Sequence, residues 1–117
     1  MMKKVETAVF NYKDICKRLG GDADIIKMVV DTFRKNVAQN IEKVKTALEE
    51  KDASAVQMHG HTIKGSAGNT SADQISKIGL KLEIAGEQKE LDKVPLLIDE
   101  INCALERFNR EIDDLGI

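Results

Sequence analysis

Residues 22–50 read DADIIKMVVDTFRKNVAQNIEKVKTALEE. Ile26, Val29, Val30, Phe33, Val37, Ile41, Val44 and Leu48 recur mostly at steps of three and four. That spacing gathers side chains on one face of an α-helix. Lys27, Asp31, Lys35, Glu42, Lys45 and Glu49 fall outside the stripe and form an ordinary solvated face. Asp22 suits an N-cap, where its carboxylate accepts from free backbone N–H groups of the first turn. The pattern predicts one helix over 23–50, about 40 Å long at 1.5 Å per residue. A break between Asn36 and Asn40 is the alternative.

On the N-terminal side, residues 1–10 read as an irregular lead-in anchored through Val9 and Phe10. A short helix is expected over 12–19, with Ile15 and Leu19 on one face. Gly20 and Gly21 stop it, since glycine takes the left-handed conformation of a helix end. On the C-terminal side, Lys51 and Asp52 form a turn with Asp52 as N-cap, and a helix is expected over 53–69. Its inward stripe is Val56, Gly60, Ile63 and Ala67, with His59 or Met58 at the edge. This reading sets His61 at the boundary of the stripe and Lys64 further out. Ser71 and Gln74 fit a capping box, opening a helix that carries Ile75, Ile78, Leu82 and Ala85. Gly79 lies inside that helix and suggests close packing against a neighbour. A turn over 90–92 leads to a last helix over 93–115, with Val94, Leu97, Ile98, Ile101, Leu105, Phe108, Ile112 and Leu115 at helical spacing. Pro95 sits in its first turn, where a missing N–H does no harm. Four long amphipathic helices with short connections predict an all-α fold: an antiparallel four-helix bundle with a short N-terminal capping helix, in a single domain over 1–117.

Composition agrees. The 117 residues are 42% hydrophobic and 32% charged, enough to bury a core and keep a polar surface. Aromatics are only 3%, so the core is expected to be aliphatic. A net charge of -2 gives no general reason to expect nucleic acid or an anionic membrane as partner. No apolar run approaches the roughly 20 residues that span a bilayer, and the first residues do not resemble a secretory signal. The expected location is the cytoplasm. Cys16 and Cys103 have no metal or redox spacing and read as two reduced thiols.

Residues 57–70, QMHGHTIKGSAGNT, hold both histidines of the chain. On a helix, His61, Lys64 and Gly65 share a face. They combine a titratable nucleophile, a fixed positive charge and a gap without a side chain, and Gly68 continues the face one turn on. A mid-helix glycine costs about 1 kcal/mol relative to alanine, so this surface needs a reason, such as the close approach of another macromolecule. A neutral imidazole is nucleophilic near neutral pH because its ordinary pKa is about 6.5. His59 and His61 point about 200° apart on a helix, so they are not a metal pair, and no cluster completes a metal site. Gly60 to Gly68 is not a phosphate-binding loop, which requires Gly-Lys-Ser/Thr after a strand.

HTIKGSAGN resembles the HxxKGS signature of the histidine-containing phosphotransfer (HPt) domains of bacterial two-component phosphorelays. KRLGGDADIIKMVVDTF and the KLE at 81–83 are similar to that family's flanking segments. The resemblance implies that His61 accepts a phosphoryl group through Nε2 from a receiver-domain phospho-aspartate and passes it to another receiver aspartate. Lys64 would sit over the phosphoryl oxygens, and Glu83 would hold the other ring nitrogen. Gly65 would leave clearance for the receiver, with Gln57, Met58 and Gly68 in the docking surface. The implied partners are response-regulator receiver domains and a hybrid histidine kinase. Mg²⁺ is expected on the receiver, with no cofactor or metal of the chain's own. The chain would be a monomeric carrier, without a kinase catalytic domain, rather than a turnover enzyme. It departs from the family where Thr70 and Ser71 replace a common apolar residue and glycine. The rival readings are a helical interaction module that carries no phosphate, and an enzyme using His61 as a general base. The second lacks a partner acid, oxyanion donors and a pocket in this sequence.

Overall fold

A computed structural model describes residues 9–117. The lead-in expected over 1–10 falls outside these residues except for Val9 and Phe10. Five α-helices follow one another: α1 (Tyr12–Arg18), α2 (Ala23–Glu49), α3 (Ala53–Asn69), α4 (Asp73–Glu87) and α5 (Val94–Asp114), with a single 3-10 turn, Leu91–Lys93, leading into α5. Capping carboxylates start two of them. Asp22 Oδ1 accepts from the amides of Asp24 and Ile25, and Asp52 Oδ1 from that of Ala55. Helix α2 runs unbroken through Asn36 and Asn40, and the Asn40 side-chain amide turns back to donate to the Asn36 carbonyl at 2.9 Å. Pro95 stands in the first turn of α5, as the sequence required.

The four long helices close a ring: α2 packs on α3, α3 on α4, α4 on α5, and α5 on α2. The α3–α4 contact is the most extensive, and glycines set its closeness. A Cβ on Gly79 would stand 2.7 Å from the Lys64 amide nitrogen, and one on Gly60 would stand 2.5 Å from that of Glu83. One on Gly86 would collide with the Gln57 backbone. These pairs step in opposite directions along the two helices, so α3 and α4 are antiparallel.

The interior is mostly aliphatic, as the composition suggested, with Ile26, Val30, Val44, Val56, Ile63, Ile75, Leu82, Ile101 and Ile112 fully or almost fully buried. The three phenylalanines nonetheless gather in one place. Phe108 stands between Phe10 and Phe33 with ring centroids 5.3 and 5.2 Å away, a separation at which tilted rings attract. Leu115 does not belong to the core stripe: it lies just beyond α5 and is exposed. The stripe ends at Ile112.

The expected capping box at Ser71 does not form. Helix α4 starts at Asp73 with Ala72 as N-cap and no side-chain cap bond. Ser71 instead closes α3. Its amide donates to the Gly68 carbonyl and that of Ala72 to the Ala67 carbonyl, the paired bonds of a Schellman ending. That ending demands a left-handed residue, and Ser71 takes φ 58°, a conformation that favours glycine. The strain is offset from outside the helix. Ser71 Oγ donates to Asp14 Oδ2 at 2.7 Å, and the Ser71 carbonyl accepts from the Asn11 amide at 2.8 Å. Both bonds tie α1 to the α3–α4 corner.

Two substitutions separate these effects. Ser71→Ala keeps the strained φ and loses the bond to a charged acceptor, so it should destabilise by about 1–2 kcal/mol. Ser71→Gly loses the same bond but relieves a left-handed cost of about 1–2 kcal/mol, so it should be nearly neutral. Urea denaturation of both variants checks the order, and an equal loss in the two would contradict it.

Candidate functional site

Gly60 has no side chain, so the α4 backbone at Leu82 and Glu83 lies directly against α3. One consequence is that the Glu83 carboxylate reaches between two side chains of the neighbouring helix. Glu83 Oε2 lies 3.1 Å from His61 Nδ1, and Oε1 lies 2.8 Å from Lys64 Nζ. Below them, Ser76 Oγ donates to the Lys64 carbonyl at 2.9 Å and pins this level of α3 to α4. His61, Lys64 and Glu83, singled out in the sequence, thus form one group.

Their exposure corrects the sequence reading. The His61 side chain is 67% exposed, Lys64 34% and Glu83 21%. His61, not Lys64, stands furthest out. On the helical wheel Lys64 lies closer to the Gly60 stripe, on the side that faces α4, and its ammonium is drawn onto Glu83 rather than held out over the imidazole.

The electrostatics follow from this geometry. The Lys64 hydrogen bond is the largest influence on the Glu83 carboxyl and holds it below the usual carboxylate range. Partial burial pushes the other way, and the hydrogen bond to His61 and both neighbours' charges again favour ionisation. An ionised carboxylate can only accept hydrogen bonds. Nδ1 of His61 must therefore carry the hydrogen and donate it to Oε2. In the neutral ring, that leaves the lone pair on Nε2, on the solvent side of the bundle. The arrangement is an aimed, tautomer-fixed nucleophile on an open face.

The remaining candidates surround it unevenly. Nothing lies within 4 Å of where a Gly65 Cβ would stand, so the surface beside His61 is clear. Met58 is exposed. Gln57 is half-buried, with its backbone packed against Gly86 of α4. Gly68 is also partly covered, near Ser76, and its carbonyl accepts from Arg18 Nη1 at 3.0 Å. Sequence reasoning missed Arg18. Its i, i+4 spacing from Asp14 signalled an ion pair within α1, which forms at 3.1 Å, but nothing local placed it on α3. Among the described residues no group of three or more His, Cys, Asp and Glu side chains is arranged to hold a metal ion, and no helix is long and apolar enough to cross a membrane.

Comparison with known proteins adds two findings. The sequence model of a family described as the Hpt domain matches residues 28–115. In fold, the chain is similar to the crystal structure of histidine-containing phosphotransfer protein B (HptB) from Pseudomonas aeruginosa PAO1. The TM-score is 0.85, covering 93% of this chain and 95% of that one, at 19% sequence identity. No curated protein sequence matches the chain.

His59 lies apart from this group, half-buried on the α2 side of α3. Burial is the main reason its imidazole is held below the usual pKa of 6.5; the Lys43 charge adds to this and Asp52 opposes it. The unfolded chain therefore takes up a proton at His59 at higher pH than the folded one. Stability from this residue is complete above pH 6.5 and is lost as pH falls through the folded value. Between pH 7 and pH 5 the wild type should lose more stability than His59→Gln in denaturant titrations. Parallel curves for the two would contradict the assignment.

Proposed function

This chain belongs to the Hpt domain family, and on that premise we propose that it is a phosphoryl carrier of a phosphorelay with His61 as the phosphoacceptor. The observation that carries the reading is the His61 Nδ1 contact with Glu83 Oε2 at 3.1 Å, which keeps Nε2 as the free nucleophile. The Nε2 lone pair attacks the phosphorus of a receiver's aspartyl phosphate. The P–N bond forms as the bond from phosphorus to the aspartyl oxygen breaks, and the aspartate leaves as a carboxylate. Nδ1 keeps its hydrogen, so the ring becomes cationic. The Glu83 carboxylate faces that positive charge and stabilises it without taking the proton. The same cationic ring is a good leaving group, which suits onward transfer to a second receiver aspartate.

Phosphoryl transfer depends chiefly on positioning and charge stabilisation, and the two proteins divide that work. The receiver brings Mg²⁺; this chain brings a rigidly mounted imidazole and needs no cofactor of its own. Gly65 leaves room for the receiver's active-site loops, with Met58 beside it and Gln57 and Gly68 at the margin. The upstream donor would be the receiver of a hybrid histidine kinase. We place the carrier in the cytoplasm, as a monomer, since its apolar stripes are used within its own bundle.

The first test is labelling from a phosphorylated receiver. Wild type and His59→Gln should acquire an acid-labile, alkali-stable phosphoryl group, and His61→Gln should not. Glu83→Gln should accept it about 10- to 100-fold more slowly, the usual cost of losing a group that orients a histidine. If His61→Gln still binds the receiver while no variant, wild type included, is labelled by a panel of receivers, the chain is an interaction module instead. Gly65→Gln supplies an independent check on close approach. It should leave the melting curve nearly unchanged while slowing transfer, because its side chain would stand where the receiver must come; unaltered transfer would refute the clearance argument.

A further inference from the structure

We propose that Arg18, contributed by α1, is a specificity-determining residue of the docking face, binding a carboxylate on the rim of the incoming receiver domain; this rests on the carrier reading above. Gly68, whose carbonyl accepts from Arg18 Nη1, follows His61 by seven residues. That is two helical turns, about 10 Å along the same face of α3. A standard protein–protein contact covers about 800 Å² on each partner, a disc of roughly 16 Å radius. A receiver centred on His61 would therefore reach the guanidinium.

Three features make this arginine suited to recognition. First, it is fixed in place: Nε pairs with Asp14 Oδ2 at 3.1 Å and Nη1 donates to Gly68 at 3.0 Å. Asp14 is itself anchored by Ser71 Oγ. A guanidinium held this way loses little further freedom when it binds. Second, these contacts use two of its five N–H donors among the described residues, and the side chain is still 49% exposed. The planar fork keeps donors matched to a carboxylate. Third, the nearer cation, Lys64, is neutralised by Glu83 at 2.8 Å. Arg18 is also paired, with Asp14, but it is the more exposed of the two cations, 49% against 34%, and its fork keeps donors for a partner's carboxylate. Charges at the margin of an interface act more on encounter and partner choice than on the strength of the final complex.

The experiment is the rate of transfer from the phosphorylated carrier to a cognate receiver, measured across receiver concentration and salt. Arg18→Glu should raise KM about 10-fold or more and flatten the salt dependence of kcat/KM, and Arg18→Lys should lose only a few-fold. Asp14→Ala removes the clamp but keeps the positive charge. It should lower the melting temperature while changing KM by less than about 3-fold. A wild-type KM for Arg18→Glu would overturn the proposal. So would an equal rise in KM for Asp14→Ala, which would reduce Arg18 to a structural tie. In either case labelled wild-type protein would leave the carrier reading standing. Wild type that takes no label on His61 would remove both.

Discussion

The close approach of α3 and α4 is the constraint on which the rest depends. Three glycines, Gly60, Gly79 and Gly86, let the two backbones meet where any Cβ would collide with the opposing main chain. Protein interiors are packed too tightly to absorb such a collision without shifting their neighbours. The glycines thus act as spacers of zero thickness. They cost helix propensity locally, and they return it as a contact that carries a glutamate from one helix to the histidine of the next.

That contact converts an ordinary surface histidine into a directed one. Alone, the His61 ring could carry its hydrogen on either nitrogen. With Glu83 ionised and fixed by Lys64, only one tautomer satisfies the carboxylate. Lys64 does its work at one remove: its ammonium faces Glu83 Oε1, an oxygen shielded from solvent with no other polar partner among the described residues. Histidine, carboxylate and counter-charge come from two helices held in a single register. A slip of one residue between α3 and α4 would break all three relations together.

The corner after α3 shows the same economy. Ser71 accepts a left-handed conformation that favours glycine, and its hydroxyl and carbonyl bind Asp14 and Asn11. The short helix α1 is fastened there, and Arg18 reaches from it to Gly68. The strain of one residue is therefore coupled to the placement of a charged side chain from the other end of the chain. Seven residues make too short a helix to be stable alone in water; α1 persists because Ile15 is buried and this corner holds it.

The sequence by itself determined the bundle. Its stripes at three- and four-residue spacing require helices of given length and facing, and Asp22, Asp52 and Pro95 mark starts by chemistry local to the chain. The His61, Lys64, Gly65 face was legible for the same reason, since it needs only the helical repeat. Gly79 signalled close packing because a glycine inside a helix otherwise has only a cost. The tertiary structure alone decided the rest. Glu83 could equally have been a plain surface glutamate until the α3–α4 register set it 3.1 Å from His61. Lys64 was read as standing further out than His61, but the docked α4 draws its ammonium onto Glu83 at 2.8 Å. Ser71 carried a sound capping signal, yet the bond to Asp14 and the Schellman ending of α3 outweighed it. Arg18 gave no local sign of reaching α3. Periodicity and capping act over a few residues and can be read along a chain. The partner of a charged side chain fifty residues away depends on how the helices dock.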